Sequence, residues 1–463
     1  MLPLLAAIFM TADDFKPLPP LPSKRQLAWH QLERYCFVHF GPNTFTGNEW
    51  GTGKEAEQVF NPKKLDCRQW AHVFKQAGFS GVIITAKHHD GFCLWPSKFS
   101  THTVAQSPWK NGKGDVLKEL SAACRDEDLK FGVYLSPWDR NHPTYGTPQY
   151  NDTFKSMLKE VLTRYGPVFE VWFDGANGEG PNGKRQEYDW PGFIGVVRKY
   201  QPNACIFSDA GPDVRWVGNE DGYAGETCWY MIDRSKFSPG HADQRVLNVG
   251  DEKGPDWLPA ECDVSIRPGW FWRATEDDKV KSVEKLMDIW YGSVGRGSNL
   301  LLNVPPNADG LISDPDVKRL TEFSQALKKE FSFEAPIAGI ESLSASGSVM
   351  LPARALLDGD EKTVWRPESN QVPVQIQVTF PSEITVDRAV LEEPVAYGQR
   401  IRSFKIHTAD LKNGYNTLAS GTTVGVYRVV KFPATKLKEI WIEIDSARAI
   451  PALSRVRFFN TGR

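Results

Sequence analysis

The run Val168-Phe169-Glu170-Val171-Trp172-Phe173 stops at Asp174-Gly175, an apolar stretch that ends on a carboxylate followed by glycine. A buried strand brings an acid to a site rim in this way, rigidly held and with open space beside it, so Asp174 qualifies as a nucleophile. An Asp-Gly pair alone would be an ordinary turn; the apolar run before it favours the catalytic reading. Three upstream apolar runs end similarly. Tyr35–Phe40 carries His39, Gly81–Ala86 leads into Lys87-His88-His89-Asp90, and Leu129–Ser136 leads into Pro137-Trp138-Asp139.

Chemistry-capable side chains at the ends of successive strands are the signature of a (β/α)8 barrel. The intervening segments agree with this. Phe154, Met157, Leu158, Val161, Leu162 and Tyr165 share one helix face, as do Trp70, Val73, Phe74 and Ala77, and Val116, Leu117, Leu120 and Cys124. Short strand–helix–strand alternation requires parallel pairing. Later strands are expected at Ala204–Ser208, Gly225–Met231, Cys262–Ile266 and Ser298–Val304, giving eight.

Beyond the helix expected over Asp316–Lys329 the period changes. Val374, Ile376, Val378 and Phe380, and later Ile440, Ile442 and Ile444, alternate with polar residues, the pattern of strands with one solvated face. The expected architecture is α/β: a TIM-like (β/α)8 barrel over residues 26–334 followed by an antiparallel β-sandwich over 335–463. Residues 1–25 are expected to be a leader or residual signal segment. Within it Leu2–Met10 is apolar and resembles the end of a secretory signal, which points to a periplasmic or secreted protein, or else to a poorly ordered start. It is too short to span a bilayer.

With 55 basic and 57 acidic residues and no basic stripe, the chain has no electrostatic footprint for nucleic acid. Its seven scattered cysteines lack the close pairs of zinc sites and are expected as free thiols. No glycine loop that would cradle phosphates follows any expected strand, which agrees with the expectation that no cofactor is required.

Sixteen tryptophans are enough to suggest sugar binding, because many fall near expected loops: Trp50, Trp95, Trp109, Trp138, Trp216, Trp229, Trp270 and Trp272. Flat aromatic faces suit the C–H faces of sugars, although most single tryptophans serve only packing. His88-His89-Asp90 with His39 invites a metal reading, but adjacent strand residues point to opposite faces, and neutral imidazoles also bind hydroxyls.

Five ordered motifs carry a resemblance: His39-Phe40-Gly41-Pro42, Asn48-Glu49-Trp50, Lys87-His88-His89-Asp90-Gly91-Phe92, Trp172-Phe173-Asp174-Gly175 and Asn299–Pro306. Together they resemble glycoside hydrolase family 29, the α-L-fucosidases, over residues from about 30 to 330. The resemblance implies a retaining mechanism with Asp174 as nucleophile. It implies a fucose pocket of His39, Glu49, Trp50, His88, His89 and Tyr134, closed by Arg215 and by Trp270 or Trp272. The stretch Gly132–Pro143, which includes Trp138, resembles the branch that cleaves α-1,3 and α-1,4 fucosyl bonds in Lewis-type oligosaccharides. In that branch the acid/base follows the fifth strand, which selects Glu220 in Arg215–Glu220, with Glu226 and Glu261 as rivals and Trp216 as a source of desolvation.

In the C-terminal part, Leu356–Trp365 resembles the loop of a discoidin-type carbohydrate-binding module. Such a loop is more often a turn or a calcium loop than a sugar site, and Asp358 and Asp360 are its candidate Ca2+ ligands. Two competing functions remain: a metal-dependent barrel hydrolase using His39, His88, His89 and Asp174, and a carbohydrate-binding protein without catalysis.

Overall fold

The computed structural model describes residues 16–343, 350–358, 363–410 and 414–462. Eight parallel strands close a barrel: β1 Arg34–Val38, β2 Gly81–Lys87, β3 Lys130–Leu135, β4 Glu170–Trp172, β5 Cys205–Ser208, β6 Val214–Trp216, β7 Ala260–Ser265 and β8 Asn299–Asn303. Each pairs with its sequence neighbour, and β8 pairs with β1. The expected helices form over Cys67–Gln76, Val116–Asp126, Pro148–Arg164 and Asp314–Glu330.

Alternation along the strands divides the core. Cys36, Val38, Val82, Ile84, Val133, Leu135 and Val171 pack outward with the helices. Tyr35, Phe37, Ile83, Tyr134, Trp172, Phe207, Val214 and Leu301 fill the interior. Counting in twos therefore reads out the barrel layers: Tyr35, Phe37, then His39; Glu170, Trp172, then Asp174; Glu261, Asp263, then Ser265; Leu301, then Asn303. The last member of each series stands at the C-terminal mouth.

The sixth strand corrects the sequence reading. It is Val214–Trp216, whereas Gly225–Met231 lies outside the barrel, where Met231–Ile232 pairs antiparallel with Asp256–Trp257. The chain returns from β5 to β6 through residues 209–213 alone, with Asp213 N–H donating to Ile206 O. No helix intervenes, so a search for strand–helix–strand spacing passed over a three-residue strand.

The C-terminal unit is antiparallel. Strands β9 Gly339–Leu343, β10 Met350–Pro352, β11 Val374–Glu392, β12 Ile401–Asp410, β13 Gly414–Gly421, β14 Arg428–Ala447 and β15 Arg455–Phe459 run in the order β10-β9-β11-β14-β12-β13, with β15 on β11. The long pair β11·β14 breaks register between Thr379 and Ile384 and again between Val386 and Arg388. Such bulges bend a sheet, and Ile376, Val378, Phe380, Ile406, Ile440, Ile442, Val456 and Phe458 form a separate core. Asp358 accepts from Thr363 Oγ1 at 2.7 Å, whereas Asp360 and the Leu2–Met10 segment lie outside the described residues. All seven cysteines are free and buried. Among the described residues no helix is long and apolar enough to cross a membrane.

Candidate active site

Asp174 stands two positions past Trp172, just beyond the end of β4, with its side chain 26% exposed. Its Oδ2 accepts from Tyr134 Oη at 3.0 Å and lies 3.7 Å from His89 Nε2, while Oδ1 accepts from Ala176 N–H at 2.8 Å. Three directions are thus fixed around one carboxylate.

His88 and His89 follow the end of β2, where the register has already shifted between Thr85 and Lys87. Strand alternation no longer applies there, and the two rings lie 4.2 Å apart on the same site, contrary to the opposite-face expectation. His89 Nδ1 is 2.7 Å from Ser136 Oγ, and its ring packs against Trp138. His88 packs on His39, Tyr134 and Phe271.

Asn303 sets the state of His39. Its amide donates to Ser265 Oγ and to Trp270 O, so its Oδ1 accepts from His39 Nδ1–H at 2.8 Å. His39 Nε2 is left as a hydrogen-bond acceptor. Burial lowers His39 to about 3 and His89 to about 4, so both rings are neutral across the working pH range of most enzymes.

Glu220 lies at the exposed rim in the loop leaving β6, not the loop after the fifth strand. Trp270 Nε1 donates to its Oε2 at 3.3 Å. Loss of water holds Glu220 above the ordinary carboxylate range, against the Trp270 hydrogen bond and with help from the charges of Asp174, Glu49 and Asp221. The indole beside it is therefore Trp270, since Trp216 donates instead to Asp263 at 2.8 Å.

Glu49 ties two mouth loops together. Its carboxylate accepts from Trp270 N–H and from Arg273, which also donates to Gly47 O. Trp50 is 58% exposed and stands edge-on to His89 and Trp138, making an aromatic wall. A buried ion pair between Lys87 and Asp139, at 3.1 Å, holds the loop behind Trp138. The lysine donates to Trp138 O, and Asp139 accepts from the N–H groups of Asn141 and His142.

Two assignments to the pocket fail. Arg215 lies on the outward face of β6, between inward Val214 and Trp216, and spends its donors on the carbonyls of Leu247, Leu258 and Trp229. Trp272 turns away to donate to Asp277 at 3.2 Å, leaving Trp270 as the closing aromatic. The rival acids are also elsewhere. Glu226 is bonded to Arg296 and to Arg428 of the C-terminal unit, and Glu261 lies in the barrel floor. Of the other tryptophans, Trp95, Trp109 and Trp229 are core residues.

Several site residues were not singled out in the sequence. Asp209 follows β5 as Asp174 follows β4, and the same strand-end signal would have found it. It is raised to about 6 by burial, opposed by the Gly240 N–H bond and helped by the charge of Asp174. Asp263 was legible as the inward residue two beyond Glu261. Arg273 carried no signal. Among the described residues, no group of three or more His, Cys, Asp or Glu is arranged to hold a metal ion.

Two carboxylates thus face one barrel mouth lined by neutral histidines and aromatic rings. The α-L-fucosidase family profile matches residues 25–330, and an F5/8 type C domain profile matches 337–453. The chain belongs to the α-L-fucosidase family. It is a glycoside hydrolase, and retention is the general mechanism of its family. Alpha-L-fucosidase 1 of Arabidopsis thaliana is 45% identical over 445 residues, covering 95% of this chain and 87% of the plant protein. A glycoside hydrolase 29 family member from an unknown rumen bacterium aligns with a TM-score of 0.84 at 38% identity, covering 96% of this chain and 78% of that one. A Ruminococcus gnavus GH29 fucosidase solved in complex with fucose aligns with a TM-score of 0.86 at 31% identity, covering 96% of each chain.

Proposed function

We propose that this fucosidase removes α-1,3- and α-1,4-linked fucose from the ends of Lewis-type oligosaccharides, with Asp174 as nucleophile and Glu220 as acid/base. The observation that carries the reading is the pair of acids at one mouth, one gripped by Tyr134 and the other held to Trp270. Glu220 protonates the leaving oxygen while Asp174 attacks the anomeric carbon; the ionised Glu220 then takes a proton from the water that hydrolyses the ester. The His39 Nε2 acceptor and the His88, His89 and Glu49 groups around the pocket receive fucose hydroxyls. Trp270 closes one side.

The linkage reading is supported by the Gly132–Pro143 stretch and by the Trp50–Trp138 wall, which offers ring faces to the galactose beside the branch point. Binding energy from that non-reacting sugar positions the bond for cleavage. A Lewis a or Lewis x trisaccharide should therefore be hydrolysed faster than an aryl fucoside, and 2′-fucosyllactose slowly, since its aglycone projects elsewhere. Initial rates on the three compounds test this. A clear preference for the α-1,2 compound would overturn the linkage assignment.

No metal takes part in this scheme. His39 Nδ1 is bonded to Asn303 and His89 Nδ1 lies beside Ser136 Oγ, so the rings are oriented for hydroxyls. Prolonged treatment with a strong chelator should leave kcat unchanged, while His89→Ala should lower kcat/KM by about tenfold or more through lost hydroxyl contacts that tighten in the transition state. Stoichiometric zinc whose removal abolishes activity would contradict the scheme.

A further inference from the structure

The barrel floor holds two buried carboxyls, Glu170 and Glu261, whose hydrogen-bond partners are two indoles and a phenol. Trp29 Nε1 donates to Glu170 Oε2 at 2.8 Å, and Trp172 Nε1 donates to Glu261 Oε1 at 2.8 Å. Tyr35 Oη donates to Glu261 Oε2. Glu170 Oε1 is buried and has no hydrogen-bond partner among the described residues.

Two carboxyls buried among rings, with no cation among the described residues bonded to either, favour holding a proton, and the donor inventory says where it sits. Both oxygens of Glu261 already accept, from an indole and a phenol that have hydrogens to give. Glu170 has one oxygen without a donor, so a proton held by the pair belongs there. Burial, the first cause, and mutual repulsion raise Glu170 well above the usual range, and burial raises Glu261 to about 7. This agrees with a pair that retains a proton at neutral pH.

Glu261 connects to the reacting carboxylate through two rings. The Trp172 ring it holds is stacked on Phe207 at 4.0 Å and on Tyr134 at 5.3 Å, and Tyr134 donates to Asp174. We propose that Glu261 is a positioning residue for the fucosidase reaction, fixing Trp172 and through it the Tyr134 hydroxyl against Asp174. The proposal rests on Asp174 being the nucleophile.

The test is an asymmetry between two isosteric variants of the full chain. In Glu170→Gln the amide oxygen still accepts from Trp29, and the NH2 group takes the place of the oxygen that has no donor. In Glu261→Gln one acceptor oxygen is left for two donors: either Trp172 meets the NH2 group and gives way, or Tyr35 turns its hydroxyl to accept and Trp172 keeps only a weaker, uncharged acceptor. Glu261→Gln should lower kcat on an aryl fucoside by about tenfold to a hundredfold, with KM changed less than about threefold, well below its melting temperature. Glu170→Gln should cost about tenfold less than that. The Trp172 indole N–H resonance, assigned with Trp172→Phe, should shift and exchange faster in Glu261→Gln only. Should Glu261→Gln fail to fold, Trp172→Phe decides, since it keeps a ring but removes the N–H and should also lower kcat.

Equal losses in the two glutamine variants, or an unchanged kcat in Glu261→Gln or Trp172→Phe, would overturn the proposal. The resonance reports the hold on Trp172 without reference to turnover. A shifted resonance with full kcat would refute the positioning role and leave Asp174 untouched. Failure of the Asp174 assignment would instead appear as an Asp174→Gly enzyme that small anions do not rescue.

Discussion

Asp174→Gly should fold normally and lose roughly four to six orders of magnitude in kcat, because only the attacking carboxylate is removed. Asp174 lies at the mouth, so its loss leaves a small opening and no core cavity. The Tyr134 hydroxyl loses its acceptor but remains beside that opening. Azide can occupy the vacated space and attack the anomeric carbon from the same side, so it should restore turnover and yield a fucosyl azide of inverted configuration. Substantial hydrolysis by Asp174→Gly without azide would remove Asp174 from the mechanism. Asp209, whose charge environment includes Asp174, would then be the first alternative.

Glu220→Ala should separate substrates by leaving group. Protonation matters most when the departing oxygen is a poor leaving group, so loss on a Lewis trisaccharide should exceed loss on an activated aryl fucoside by about a hundredfold or more. The pH dependence follows from the direction of the shift. As a general acid Glu220 works protonated, so kcat/KM falls as pH rises through its titration, and its raised position places that basic limb above the ordinary carboxylate range. His39 and His89, neutral already above about 4, cannot supply the limb. Glu220→Ala should abolish it. Equal losses on both substrate types, with the basic limb intact, would assign the acid elsewhere.

Asp174 and His39 were legible in the sequence because alternation within an apolar run fixes which residue faces the barrel axis, a rule that fails at His88 and His89 past the register shift of β2. That rule carries Tyr35 to His39 and Glu170 to Asp174 without knowledge of the fold. It would also have removed Arg215, which is flanked by inward Val214 and Trp216; what hid this was the missing β6, a three-residue strand reached without a helix. Trp270 and Trp272 could not be separated by type or spacing. Their directions are set by distant carboxylates, Glu220 and Glu49 for one and Asp277 for the other. Glu226 looked as free as Glu220 until the C-terminal unit supplied Arg428. Glu261 stayed a rival because a strand expected to start at Cys262 left it in a loop, where spacing does not place a carboxylate. In the barrel it belongs to the floor, where its neighbours are aromatic and its partner is another acid.

The central claim is that a fucosyl ester forms on Asp174, and trapping that ester tests it most directly. A 2-deoxy-2-fluoro-L-fucosyl fluoride slows both steps by destabilising the oxocarbenium-like transition state, while its good leaving group lets the first step outrun the second. Proteolysis and mass spectrometry of the inactivated enzyme should place one fluorofucosyl group on Asp174 and none on the Asp174→Asn protein. An adduct on Asp209, Glu220 or any other residue, or release of inverted fucose with no adduct formed, would contradict the account.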